Sequence, residues 1–181
     1  MSDPADHPAW TQIGEDRLVH DGWLTIVSRT FEMPDGRTST WELMGGHVSV
    51  AVFPTTPDGQ IVMVRQFRPG PARVVVNLPG GLVDPGETPE AAAARELVEE
   101  TGYVAESIEV VARFHAMAHS GWVKHVALAR GCTPTGVQQL DEVEDCVPVL
   151  MSPDEVRRAA RAGELVGIDT VYVGLDHAGL L

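Results

Sequence analysis

Alternating apolar and polar residues mark the first third of the chain. The stretch DRLVHDGWLTIVSRTFEMP, within residues 10–45, follows this pattern, and Pro34-Asp35-Gly36 supplies a turn before TSTWELM. A period of two broken by turn residues predicts a β-meander. A second turn at Pro57-Asp58-Gly59 separates HVSVAVFP from QIVMVRQF. Their high valine content predicts strands that are buried on both faces.

The remaining segments alternate between strands and helices. Four further apolar segments predict strands: RVVVNLP, SIEVVARFHAM, WVKHVALAR and EDCVPVLM. A capping box at Ser152-Pro153-Asp154-Glu155 predicts a helix that ends at Gly163, and Thr170 to His177 is expected to form a last helix. Strands on both sides of one helix, with more helix at the end, predict an α/β fold with a mixed sheet between helices.

The helix in the middle of the chain has clear start and stop signals. Thr88 can cap the first amides, and Pro89 is tolerated at the first helical position. The segment that follows is rich in alanine and glutamate, which favour helix, and Gly102 is a stop signal. We therefore predict a helix from about residue 89 to residue 101.

Three carboxylates of this helix, Glu96, Glu99 and Glu100, fall within about 100° of one another on a helical projection. The opposite face is assigned to apolar residues, namely Ala91, Ala94, Leu97 and Val98. The projection predicts one packed face and one exposed acidic face.

An acidic helix face is most often a solvated surface. Here, however, like charges three and four residues apart cost about 0.2–0.5 kcal/mol per pair, and Arg95 is the only cation within the helix. Carboxylates are hard oxygen ligands suited to Mg²⁺ or Mn²⁺, which keep several waters and take substrate phosphates as further ligands. We therefore favour a metal site over a solvated face. A calcium loop of the EF-hand type is excluded, because its ligands alternate along a loop.

With the loop that precedes the helix, this segment resembles the Nudix box, G-x5-E-x7-R-E-U-x-E-E-x-G-U, where U is a bulky apolar residue. Every fixed position matches, and Tyr103 stands where an aliphatic residue is commoner. The resemblance implies an α/β/α sandwich with a bound Mg²⁺ or Mn²⁺. It implies that Glu87 is a supporting carboxylate and that Arg95 holds the glutamates in place. The implied metal ligands are Gly81, through its backbone carbonyl, and Glu96, Glu99 and Glu100.

Four features outside the box resemble the ADP-ribose pyrophosphatase branch of the family: the β-rich N-terminal extension, VRQFRPG, DEVED and GELVGIDTVYVGL. The resemblance implies a homodimer formed through the N-terminal strands. It also implies a substrate contact from Arg68 or Arg65, and a catalytic role for Glu142 or Glu144. That branch usually has a proline in the loop where this chain has His119-Ser120-Gly121. This departure favours nucleoside diphosphate sugars in general over ADP-ribose specifically.

Each of these candidate residues also has a simpler interpretation. Arg68 precedes a proline at a predicted strand end and could be an ordinary surface charge. Glu142 and Glu144 could belong to a solvated acidic turn. The seven histidines show no ligand spacing, so His119 is considered only as a pocket residue. Trp23 could stack on a nucleobase, although core or interface packing fits its strand position as well.

Length and charge limit the classes of function. With 181 residues and 44% hydrophobic content, the chain is long enough for one main domain. We assign residues 1–45 to a β-rich extension that is expected to form the dimer, and residues 46–181 to the hydrolase domain. A net charge of −13 argues against a nucleic-acid partner. Divalent cations would reconcile an acidic protein with a phosphate substrate.

The sequence also indicates the cellular location of the protein and the role of its cysteines. The chain has no apolar run of about 18 residues, and its first residues lack the pattern of a signal peptide, so a cytoplasmic protein with no membrane partner is expected. Cys132 and Cys146 are interpreted as small buried apolar residues.

The function expected from these features is metal-dependent hydrolysis of the pyrophosphate bond of ADP-ribose or a related nucleoside diphosphate sugar. The products would be a nucleoside monophosphate and a sugar phosphate. Hydrolysis of a nucleoside triphosphate or of coenzyme A stays open, as does a regulator that senses nucleotides without cleaving them. Such a regulator usually lacks box carboxylates, and none is missing here.

Overall fold

A computed structural model describes residues 8–140 and 144–181. Within these residues the chain forms two compact units. The first contains residues up to 47 together with the segment 115–122, and the second contains residues 48–114 and 123–181. The expected division into an extension of residues 1–45 and a hydrolase domain of residues 46–181 stays a prediction.

The first unit is a three-stranded antiparallel sheet of β1 (Thr11–Asp21), β2 (Thr25–Glu32) and β3 (Thr38–Met44), in the order β1-β2-β3. The predicted meander is therefore confirmed. The segment 115–122 joins this sheet at Met44, whose backbone N–H donates to the carbonyl of His119 at 3.0 Å and whose carbonyl accepts from Gly121 at 3.0 Å. Strand β1 is exposed along its whole length.

The second unit is built on a seven-stranded mixed sheet. The seven strands are β4 (Val48–Thr55), β5 (Ile61–Arg68), β6 (Arg73–Asn77), β7 (Gly80–Leu82), β9 (Ser107–His115), β10 (Val123–Arg130) and β12 (Val147–Met151). Its order is β12-β5-β4-β10-β9, with β6 beside β5 and β7 beside β4. Strands β4 and β10 run parallel, whereas β12, β6 and β7 pair antiparallel with their neighbours. A two-stranded sheet pairs β8 (Tyr103–Val104) with β11 (Thr133–Pro134).

Three helices cover the two faces of this sheet: α1 (Pro89–Thr101), α2 (Pro153–Ala162) and α3 (Ile168–His177). One core cluster joins alanines and Leu97 of α1 to Val50, Val52 and Val62. The other joins residues of α2 and α3 to Phe53 and Met63 on the opposite face. The α/β/α sandwich is therefore confirmed. None of the described helices is long and apolar enough to cross a membrane.

Helix α1 begins and ends where the sequence predicts, but it presents a different face to the sheet. The predicted packing positions Ala91 and Ala94 are exposed, whereas Ala92 and Ala93 are buried. The acidic face is not exposed either, because Glu96 is 7% and Glu100 is 3% exposed. The prediction from apolar periodicity was wrong about the buried face, because it treats every carboxylate as exposed. Hydrogen bonds from Gly80 and Arg95 hold Glu100 and Glu96 in buried positions.

Candidate active site

Strand β7 requires glycine at its first two positions. Gly80 has φ of 148°, and a Cβ there would lie 2.1 Å from the carbonyl oxygen of Val50. A Cβ on Gly81 would lie 2.3 Å from Oε1 of Glu96. Gly80 therefore allows β7 to pair closely with β4, and Gly81 allows its backbone to approach the Glu96 carboxylate.

Arg95 links the carboxylates of the box. Its Nε and Nη2 donate to the two oxygens of Glu87 at 3.1 and 3.0 Å, and its Nη1 donates to Glu96 and Glu99 at 2.8 and 3.0 Å. A fifth hydrogen bond, from Nη2, reaches the carbonyl of Leu82 at 2.9 Å. All five N–H donors of the guanidinium are therefore used, and a single cation fixes three carboxylates and the backbone of β7.

The carboxylates differ in the cost of carrying charge. Burial raises the pKa of Glu100 to about 7, and the charge of Glu96 adds to this effect, while the backbone N–H of Gly80 opposes it with a hydrogen bond to Oε2 at 2.8 Å. Burial also raises the pKa of Glu96, although Arg95 opposes the rise. The hydrogen bond from Arg95 lowers the pKa of Glu87. Negative charge is therefore costly at the two buried glutamates.

The predicted metal ligands come from the second half of α1 and from β7, which approach each other at Gly81 and Glu96, and they suit a divalent cation in chemical type. Across residues 8–140 and 144–181, no three acidic, histidine or cysteine side chains converge enough to hold an ion by themselves. Arg95 uses only Oε1 of Glu96 and Oε2 of Glu99, which leaves one oxygen of each carboxylate outside its hydrogen bonds. A few hard oxygens completed by water and substrate phosphates are the ligands that Mg²⁺ commonly takes.

The acidic loop that follows β11 lies partly within the described structure. Glu142 falls outside the described residues. Glu144 lies two residues before Cys146, whose Sγ is 3.5 Å from Oε1 of Glu100, so the described end of the loop is near the buried glutamates. Oδ1 of Asp145 accepts the backbone N–H of Phe67 at 3.3 Å and so attaches the loop to the end of β5.

Cys146 is a site neighbour that the sequence analysis did not identify. It is buried, as predicted, but its Sγ donates to Oε1 of Glu100 at 3.5 Å. Burial raises the pKa of this thiol to about 12, and the charge of Glu100 adds to the rise, so the thiol stays protonated as a donor. Its position directly after the acidic loop was the one available signal.

The two candidate arginines lie on β5, next to the acidic loop. Arg65 is exposed and pairs with Val147 of β12. Arg68 is half-buried at the end of β5, and its charge lowers the pKa of Cys146, against the larger effect of burial. Arg68 directly follows Phe67, to which the acidic loop is attached through Asp145.

The other two substrate-contact candidates belong to the first unit. Trp23 is 71% exposed, and its ring stacks on His47 with centroids 6.1 Å apart. His119 stacks on Trp41, at 5.2 Å. Trp23 and His119 therefore have different stacking partners, and Trp23 keeps most of its surface available for a further contact.

Comparison with known proteins identifies the class of this chain. A model of the NUDIX domain matches residues 45–167. The chain therefore belongs to the Nudix family, and it is a Nudix hydrolase.

Individual relatives place it in the ADP-ribose pyrophosphatase-like branch. It is 32% identical over 162 residues to an ADP-ribose pyrophosphatase of Bacillus subtilis (strain 168), across 88% of each chain. It is 32% identical over 153 residues to a methanol dehydrogenase activator of Bacillus methanolicus, across 81% of this chain and 83% of that protein. The fold is similar to a crystal structure of an ADP compounds hydrolase, with a TM-score of 0.77, 21% identity, and coverage of 95% of this chain and 97% of that chain.

Proposed function

We propose that this protein hydrolyses the pyrophosphate bond of ADP-ribose or a related nucleoside diphosphate sugar, giving a nucleoside monophosphate and a sugar phosphate. The observation that carries the proposal is the carboxylate cluster on α1, which Arg95 and the glycines of β7 hold in place. The similarity to an ADP-ribose pyrophosphatase over most of the chain supports this substrate class.

Gly81, through its backbone carbonyl, and Glu96, Glu99 and Glu100 would hold Mg²⁺ or Mn²⁺. A bound divalent cation neutralises phosphate charge and lowers the pKa of a coordinated water. Arg95 orients Glu96 and Glu99 through hydrogen bonds of 2.8 and 3.0 Å, and Glu87 in turn fixes Arg95. The raised pKa values of Glu96 and Glu100 support the proposal, because a cation would compensate the charge that burial penalises.

Glu144 would orient or deprotonate the attacking water, with Glu142 as the alternative base. The first assignment is supported by the contact between Glu100 and Cys146, which lies only two residues after Glu144. Arg68 is the preferred phosphate contact, and Arg65 is the alternative, since a guanidinium pairs well with a phosphate. No covalent intermediate is required, because water can attack phosphorus directly.

The first unit would add substrate contacts and a dimer interface. Trp23 and His119 are proposed to contact the nucleotide, a role supported by the large exposed surface of Trp23. A homodimer through residues 10–45 is supported by the exposure of β1, because a small isolated sheet gains stability by pairing or packing. Light scattering at micromolar concentration should give twice the chain mass, and a monomer would contradict the dimer. Cytoplasmic location and the lack of a nucleic-acid partner stay predictions.

Product analysis tests the reaction itself. The protein, Mg²⁺ and ADP-ribose are incubated in ¹⁸O-water, beside a panel of other nucleotide sugars, nucleoside triphosphates and coenzyme A. Attack at phosphorus should yield AMP and ribose 5-phosphate with the label on one of the two phosphates. Free ribose, intact ADP and label on the sugar would mean glycosidic cleavage and would exclude the proposal. If another nucleotide sugar is preferred, the loop His119-Ser120-Gly121 is the first place to vary.

A further inference from the structure

Residues 135–139, here called the strap, cross the C-terminal end of α1. The carbonyl of Gly102 accepts hydrogen bonds from the backbone N–H of Thr135 at 2.7 Å and from its hydroxyl at 2.8 Å. The carbonyl of Glu99 accepts the backbone N–H of Gln139 at 3.1 Å. Carbonyls at a helix C-terminus lack partners within the helix, so the strap satisfies groups that would otherwise need water.

Gly102 leaves the space in which the strap lies. It ends the helix in the left-handed region, with φ of 68°, and a Cβ there would lie 3.1 Å from the carbonyl oxygen of Val137. The last glycine of the box therefore serves both the helix end and the close approach of the strap.

Gln138 connects the strap to a second point. Its Nε2 donates to the carbonyl of Glu100 at 2.6 Å and to the carbonyl of Cys146 at 3.0 Å. Both partners are carbonyl oxygens, so the amide nitrogen must face them and both of its hydrogens are used. One side chain therefore joins the end of α1 to the residue that follows the acidic loop.

We propose that Gln138 is a positioning residue that holds the backbone next to Glu144 against the end of α1, and so sets Glu144 relative to the carboxylates of that helix. The bond to Cys146 fixes the backbone two residues after Glu144. Asp145 adds an attachment to β5 through Phe67. A residue that only capped α1 would need the Glu100 carbonyl alone. The inference rests on the proposed function, in which Glu144 acts on the attacking water.

The test compares Gln138→Leu with Gln139→Leu. Leucine is similar in size to glutamine and removes both donors at position 138. At position 139 the link to the helix is a backbone N–H, which a side-chain change leaves intact. We expect Gln138→Leu to lower kcat by about tenfold or more with KM changed less than about twofold, because the affected group acts in the transition state. Gln139→Leu should keep kcat.

A double-mutant cycle with Glu144→Gln then shows whether the effect passes through Glu144. In the Glu144→Gln background, Gln138→Leu should cause no further loss of kcat, because coupled residues are not additive. Deuterium exchange of the peptide 144–151, measured without substrate, should increase in Gln138→Leu and stay unchanged in Gln139→Leu. If the leucine variant does not fold, Gln138→Asn serves as the test variant. Its side chain is one carbon shorter, so its amide cannot reach both carbonyls.

Two results would overturn the inference. One is a Gln138→Leu protein with a lower melting temperature and a normal kcat, which would make the residue a helix cap only. The other is an equal loss of kcat with and without Glu144→Gln. Failure of the proposed function would be separate, because the wild-type protein would then give no nucleoside monophosphate from any nucleotide sugar.

Discussion

Helices α1 and α2 use the same terminal devices. Each has a hydroxyl N-cap followed by proline, with Thr88 accepting from the N–H of Ala91 and Ser152 accepting from that of Glu155. Each ends at a glycine in the left-handed region, Gly102 or Gly163. The helices differ in where their carboxylates lie, and that difference separates a structural role in α2 from the role in metal binding that is proposed for α1.

In α2 the carboxylate stabilises the helix. Glu155 lies in the first turn, where its Oε2 accepts the backbone N–H of Ser152 at 2.8 Å, and hydrogen bonds to Ser152 lower its pKa. In α1, Glu96 and Glu100 lie in the second half, towards the negative end of the helix dipole, and burial raises their pKa values. Burial and the C-terminal half of a helix both disfavour a charged carboxylate. Carboxylates in such positions indicate a functional site, where a bound cation can compensate the unfavourable energy.

The largest effect is expected from neutralising the α1 carboxylates. Glu100→Gln should lower kcat by about 100-fold or more, because the metal proposed to bind there would contribute several kcal/mol to the transition state. Its melting temperature without metal should be equal or slightly higher, because a buried charge is removed. Steady-state rates with Mg²⁺ and calorimetry in chelator measure the two effects.

Glu155→Gln in α2 is the matched control, with kcat unchanged and the melting temperature reduced. The comparison would fail if a folded Glu96→Gln, Glu100→Gln double mutant kept wild-type rates. It would also fail if Glu155→Gln lost as much activity as Glu100→Gln.

A smaller loss is expected when the Glu96 carboxylate is displaced without loss of its charge. Gly81→Ala places a methyl group where Oε1 of Glu96 lies, so the carboxylate must move away from Arg95. We expect kcat to fall by about 10- to 100-fold, as when groups that orient ligands are lost. Gly70→Ala is the control, because a Cβ added there would meet no atom within 4 Å and its φ lies outside the left-handed region. Equal kcat for the two variants would show that Glu96 does not need this position.

The pH dependence of stability should separate the two kinds of carboxylate. The pKa of Glu100 is about 7 in the folded protein and about 4.5 when exposed, so the folded state binds its proton more tightly. The resulting stabilisation is complete below pH 4.5 and is lost as the pH rises through 7. Each pKa unit corresponds to about 1.4 kcal/mol, so a few kcal/mol are involved.

Urea unfolding in chelator between pH 4.5 and 8 measures this effect. The free energy of unfolding of the wild type should fall relative to that of Glu100→Gln by a few kcal/mol across this range. Parallel curves for the two proteins would show that Glu100 carries no such penalty.

Much of this architecture could be predicted from the sequence, because local signals decided it. The caps at Thr88 and Ser152, the meander and the alternation of strands with helices all depend on neighbouring residues. The spacing of the glutamates likewise follows from helical geometry.

Contacts between distant segments could not be predicted. The surroundings of Glu100 include Gly80, twenty residues earlier, and Cys146, which directly precedes β12. Gln138 contacts Glu100 across 38 positions of sequence. No local pattern encodes such contacts, so the sequence identified the carboxylates and Arg95 but not Cys146 or Gln138.

The smallest effect is expected at the cap of α2. Ser152→Ala removes the hydroxyl that accepts the N–H of Glu155, which should cost about 1 kcal/mol of stability and about 2–4 °C in melting temperature. Helix α2 covers the face of the sheet opposite α1, so kcat should be unchanged. Ser152→Thr, which keeps a capping hydroxyl, should retain most of the stability. Thr88→Ala should cost a similar amount at the start of α1, because the two caps make the same bond. If Ser152→Ala reduced kcat while Ser152→Thr did not, the end of α2 would take part in catalysis, and its carboxylate could no longer be assigned a purely structural role.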